Sequence, residues 1–127
     1  MEVVIGDVTS IGNEIVVGFS TSFGSGIGFW KGVAPAVNES HDVELEIGEA
    51  IVWGENGHFS LNNVCLIEMG SDSVKLTGRI VHIDDDGFAV LDVNGSVVLL
   101  EIIDFTGGIP VFVDLCIKKI DLYPTGV

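Results

Sequence analysis

Residues 39–55 place six carboxylates, Glu39, Asp42, Glu44, Glu46, Glu49 and Glu55, on a stretch with no Lys or Arg. Within it, Asp42, Glu44 and Glu46 alternate with Val43, Leu45 and Ile47. On a β-strand this period sends the carboxylates to one face, roughly 6.6–6.8 Å apart, and the aliphatic side chains to the other. That spacing is comparable to the spacing of successive phosphates along a nucleic-acid strand. The row is therefore either an ordinary solvated face or an electrostatic surface for a basic protein. A second acidic group, Asp84-Asp85-Asp86-Gly87, invites a calcium reading and fails it. Counted from Asp84, Phe88 and Ala89 stand where an EF-hand loop needs an oxygen ligand and a glycine. Asp84, Asp85 and Asp86 then form a solvated turn or an acidic knob facing a partner.

Other constellations carry less. Gly24-Ser25-Gly26-Ile27-Gly28 lacks the Gly-Lys-Ser/Thr ending of a phosphate-binding loop, and no helix pattern follows it. Phe19, Phe23, Phe29 and Trp30 gather around these glycines as core anchors or as an exposed contact, so Trp30 joins the candidate partner-binding residues. His41, His58 and His82 have no Ser or Cys placed to complete a nucleophile–base–orienter set, and nothing selects a catalytic pair among the acids. The expectation is a protein that is not an enzyme and takes no cofactor. Cys65 and Cys116 lie inside apolar runs and read as small buried hydrophobes. Neither has a second Cys or a His at ligand spacing, so no metal site is expected.

The elements that must position these groups are strands. Short runs of Val, Ile, Leu and Phe are punctuated by 17 Gly and by Asn-Gly or Asp-Gly pairs. The pattern predicts strands at Val3–Thr9, Glu14–Phe19, Asp42–Trp53, His58–Leu61, Val64–Met69, Ser73–Ile83, Phe88–Val93, Val97–Ile103 and Ile109–Leu122. Asn94-Gly95 predicts a type I′ hairpin, and Asp86-Gly87 a similar turn before it, making Ser73–Ile103 a three-stranded meander. Asn56-Gly57 predicts a turn of Asp42–Trp53 back onto His58–Leu61. Beyond Gly48 the alternation slips, and a β-bulge there, with another at Gly78, would restore it. Lys118-Lys119 reads as a guard against edge aggregation in the last strand. Gly18–Gly32 reads as a mobile loop. The fold class is all-β: an antiparallel sandwich or a small, partly open barrel with a C-terminal meander, in one domain spanning residues 1–127.

Charge bounds the partners. Nineteen Asp and Glu against five Lys and Arg give a net charge of −14 at pH 7 on a chain that is 47% hydrophobic. Its mean hydropathy is +0.55. Such a surface repels phosphate backbones and anionic membranes and attracts cations or basic proteins. The few basic residues argue against nucleic-acid binding, because phosphate contacts come from Lys and Arg. No basic, apolar leader opens the sequence, and the longest charge-free run is rich in Gly and Ser, so a cytoplasmic location away from membranes is expected.

A small, acidic, β-rich chain without a catalytic motif resembles the immunity proteins of bacterial contact-dependent growth inhibition and related polymorphic toxin systems. The resemblance covers the whole chain and rests on size, charge and the absence of a catalytic pattern. It implies a cytoplasmic bacterial protein that binds one cognate, basic toxin domain, commonly a nuclease, and occludes its active site. Residues 39–55 and Asp84–Asp86 are where it would act. The alternative is a structural module that self-associates into homo-oligomers through its apolar excess.

Overall fold

β-branched and aromatic runs broken by glycine build strands, and the computed structural model, which describes residues 1–126, contains strands and turns with no helix among those residues. No helix among them is long and apolar enough to cross a membrane. The first four strands are β1 (Glu2–Ile11), β2 (Glu14–Thr21), β3 (Gly24–Trp30) and β4 (Ser40–Glu46). With the last strand of the chain, β12 (Asp121–Pro124), they close a five-stranded barrel. β1 pairs antiparallel with β2 and β4, β2 with β3, and β4 with β12. The ring closes through a parallel seam, Asp121 opposite Phe29 and Leu122 opposite Trp30. Around it the order is first, second, third, fifth, fourth. Alternate residues Val3, Ile5, Val17, Phe19, Val43, Leu45 and Leu122 are buried.

Between the fourth and fifth barrel strands the chain makes a second curled sheet. Its strands are β5 (Ile51–Val52), β6 (Gly57–Phe59), β7 (Leu66–Met69), β8 (Val74–Ile83), β9 (Phe88–Val93), β10 (Ser96–Ile103) and β11 (Val111–Ile117). They follow the order β6-β11-β8-β9-β10-β5, antiparallel except for the β10–β5 pair. A turn from Val52 to Gly57 brings the two ends together, with a bridge between Trp53 and Gly57. β7 pairs with β8 and touches β3 through Gly24 and Ile67. One hydrophobic core runs through both parts.

The all-β expectation and the meander hold. Asn94 and Gly95 both have positive φ, 52° and 92°, as a type I′ turn requires. In the turn at Asp84–Gly87, by contrast, only Gly87 is left-handed, and the Asp84 carboxylate accepts the N–H groups of Asp86 and Phe88 at 2.9 and 3.0 Å. The bulge in β8 falls at Val81, between Ile80 and His82, three residues past Gly78.

Several expectations are corrected. Gly18–Gly32 is not a mobile loop: it holds the end of β2 and all of β3. Its glycines serve close approach, since a Cβ at Gly28 would lie 2.9 Å from Leu122 Cδ1 and 3.1 Å from the Ile120 carbonyl oxygen. Asp42–Trp53 does not continue through a bulge at Gly48. The chain leaves the barrel there, so β4 and β5 belong to different sheets. For the same reason the strand after Asn56-Gly57 pairs with β11 and not with its predecessor. Ile109–Leu122 likewise divides into β11 and β12 at Lys118-Lys119, a corner where Glu49 Oε1 accepts both lysine N–H groups at 2.8 and 3.0 Å. Those lysines therefore guard no strand edge. Cys116 is exposed on the outward-alternating side of β11, and Cys65, just ahead of β7, is half-buried against the core.

Candidate functional site

The acidic row of β4 does not act as a unit. Asp42 is engaged: its Oδ1 accepts the N-terminal ammonium of Met1 at 3.1 Å and its Oδ2 accepts the Thr125 hydroxyl at 2.9 Å. The ammonium bond above all, then the hydroxyl, hold the Asp42 carboxyl below its ordinary range. Glu44 and Glu46 project from the same face, and among the described residues no hydrogen bond or ion pair engages their carboxylates. They are the available part of the row.

Glu44 and Glu46 form one bank of a groove, a cavity of about 910 Å³ between β4 and β10. The floor is buried Leu45, Ile47 and Leu100. The opposite bank is the outward face of β10, Val97, Leu99 and Glu101, with Phe88 of β9 directly across from Glu101. Tyr123 of β12, opposite Glu44, completes it. This bank is apolar and wet: Val97 is 62%, Leu99 63% and Phe88 51% exposed. Hydrophobic side chains left this open beside one another mark a binding surface. Glu101 has no hydrogen bond or ion pair among the described residues.

No Lys or Arg lines the groove. Lys31, Lys75, Arg79 and Lys119 each lie 3.5–4.0 Å from a carboxylate elsewhere, on Asp121, on Glu68 and Asp114, on Asp92 and on Glu14. The carboxylates of Glu44, Glu46 and Glu101 are therefore not offset by any Lys or Arg lining this groove. The other sequence candidates scatter. Glu49 reaches the groove wall, yet its carboxylate is used in holding the Lys118-Lys119 corner. Glu55 sits in the Val52–Gly57 turn, away from the groove. Asp84, Asp85 and Asp86 form the turn leading into Phe88 and line no part of it. Trp30 is corrected outright as a partner contact: it is buried, its Nε1 donates to the Val33 carbonyl at 2.8 Å, and its ring meets His41 edge-on.

The residues that sequence reading missed are Phe88, Val97, Leu99, Glu101 and Tyr123. One signal was present. Val97-Val98-Leu99-Leu100 is apolar at four successive positions, so a strand there must expose one hydrophobic face unless both are covered.

His41 lies 3.0 Å from Glu39 Oε1, and the same oxygen accepts the Ala36 N–H. That N–H, then His41, lower the Glu39 carboxyl from its ordinary value. No cluster of three or more His, Cys, Asp or Glu among the described residues could hold a metal ion. Fold and site together define a class: an all-β barrel protein with a surface groove that is acidic on one bank and apolar, apart from Glu101, on the other. Compared with known proteins, the chain matches no family model, no curated protein and no solved structure.

Proposed function

We propose that the protein is a binding protein for a basic protein partner and acts as an immunity protein, capturing a cationic toxin domain and covering its active site. The observation that carries this reading is the groove itself. Three carboxylates without a partner among the described residues, Glu44, Glu46 and Glu101, stand beside exposed Phe88, Val97, Leu99 and Tyr123, and no Lys or Arg lines the groove with them. The net field attracts a basic domain over a long range and speeds its capture. The apolar bank, buried on contact, sets how long it stays. Carboxylates spaced along β4 occupy positions where a nuclease would hold substrate phosphates, so capture and occlusion are one event.

The test is capture by the immobilised protein from a lysate of its source organism, at low and high salt, followed by an activity assay of whatever is retained. The reading expects one basic protein, released by salt, whose activity disappears in the complex. A retained protein that stays fully active when bound refutes occlusion.

A second reading, a self-assembling module, is favoured by a separate apolar patch. Trp53, Phe59 and Phe105 pack edge to face with centroids 4.7–6.2 Å apart. In this part of the chain, Phe59, Leu61, Val64 and Ile109 are exposed. Self-association through that patch holds or tightens as salt rises, whereas toxin capture weakens.

A further inference from the structure

The open bank of the groove is also a sheet edge. β9 and β10 are joined by a two-residue turn, so Val93 and Ser96 exchange backbone hydrogen bonds, and so does every second pair after them. The Ile102 N–H bond to the Gly87 carbonyl, 2.8 Å, fixes the same phase at the far end. Ser96, Val98, Leu100 and Ile102 therefore turn their backbone groups to β9. Val97, Leu99 and Glu101 turn theirs away from β9, on the side of the strand that the Glu101 carbonyl shares with β5. β5 bridges Ile102 and Ile103 and takes up the Glu101 carbonyl, so no strand pairs with that edge from Ser96 to Leu100. β4 lies beside β10 without pairing with it.

Edges of this kind are ordinarily blunted by Lys, Pro or a bulge. Here the edge carries none of these, and its register with β9 is regular over six pairs. We infer that the partner segment seated in the groove is an extended strand that adds to the free edge of β10, with Lys or Arg at alternate positions directed at Glu44, Glu46 and Glu101. This inference rests on the groove reading above and names the form of its ligand. Charge complementarity selects the occupant. A second copy of this chain would bring another −14 into an acidic groove, whereas a cationic strand neutralises it. Side chains two apart on the incoming strand repeat at the same roughly 6.6–6.8 Å as Glu44 and Glu46. Backbone bonds to Val97, Leu99 and the Glu101 N–H supply affinity independent of sequence, and the glutamates supply the preference for cations.

The probe is a capped peptide of alternating Lys and Val, a twin with alternate backbone amides N-methylated, and a version with Glu in place of Lys. They are titrated into the full chain and into L99P, which removes an N–H that no strand uses in the free protein. The Lys-Val peptide is expected to bind and to slow hydrogen exchange at the amides of Val97, Leu99 and Glu101. N-methylation or L99P should each weaken it by roughly tenfold or more, and the Glu peptide should not bind. Equal binding of the N-methylated twin overturns strand addition while leaving the acidic groove standing. Failure of both Lys peptides, with capture of the basic protein unaffected by E44K/E46K, overturns the groove as well. Concentration-dependent protection of the three amides in the protein alone assigns the edge to a second copy and refutes the cationic strand. Should L99P prove unfolded by circular dichroism, the N-methylated twin against the wild-type chain decides alone.

Discussion

At the residue scale, each acid is doing a different job, and charge reversal separates them. Asp42 anchors the N-terminal ammonium and Thr125, while no hydrogen bond or ion pair among the described residues engages the Glu44 or Glu46 carboxylate. E44K/E46K is therefore expected to keep the wild-type melting temperature and lose partner capture by orders of magnitude, whereas D42K melts lower. Equal melting of the two would remove the structural role given to Asp42. The depressed Asp42 carboxyl carries a sign. Its folded-state value lies below the unfolded one, so its stabilisation is complete above the ordinary carboxylate range and is lost as pH falls through that range to the folded value. Denaturant titrations of wild type and D42N should differ at neutral pH and converge under acid. A gap that persists in acid contradicts this. Among the described residues Thr77 is the one buried polar side chain of the core, and its hydroxyl donates to Asp114 Oδ1 at 2.6 Å. T77V leaves that carboxylate with Lys75 alone, at 3.8 Å, and is expected to lower unfolding free energy by about 1–3 kcal/mol.

At the element scale, the seam between β3 and β12 decides whether the barrel closes. Gly28 lets β12 approach, and the atom nearest below Leu122 on that approach is the Ile120 carbonyl oxygen, which cannot swing aside. G28A is expected to cost about 1–3 kcal/mol, read by thermal unfolding, and to do so through the seam. An unchanged melting temperature would show the seam to be slack. The same seam explains what sequence could and could not convey. The meander from β8 to β10 was legible because its pairing is local and its turn chemistry is written in Asn94-Gly95. The alternation of Asp42–Ile47 was legible as well, and it placed Glu44 and Glu46 on one wet face. β3 was not legible: its glycines read as a loop, and only the approach of Leu122 and Ile67 from distant sequence gives them a purpose. Nor was the β4–β5 break, because β5 finds its partner in β10, some fifty residues on. Trp30 failed as a surface residue for a related reason. Its burial comes from ring closure, which no local pattern announces.

At the scale of the whole molecule, the insertion of a second sheet between the fourth and fifth barrel strands creates the groove. β4 contributes charge, β10 contributes an apolar face and a free edge, and neither alone would make a site. The field of −14 acts over the entire surface, but the contacts we propose to convert attraction into residence lie where β4 and β10 meet. Association with the basic partner should slow steeply as ionic strength rises, and dissociation should respond to truncation of Leu99 or Phe88 far more than to salt. The most direct test is a hydrogen–deuterium exchange footprint of the protein bound to the basic protein it retains. Protection concentrated on residues 44–49 and 96–101 is the predicted result. A footprint on the Trp53–Phe59–Phe105 patch, with β4 and β10 exchanging as they do in the free protein, would contradict it.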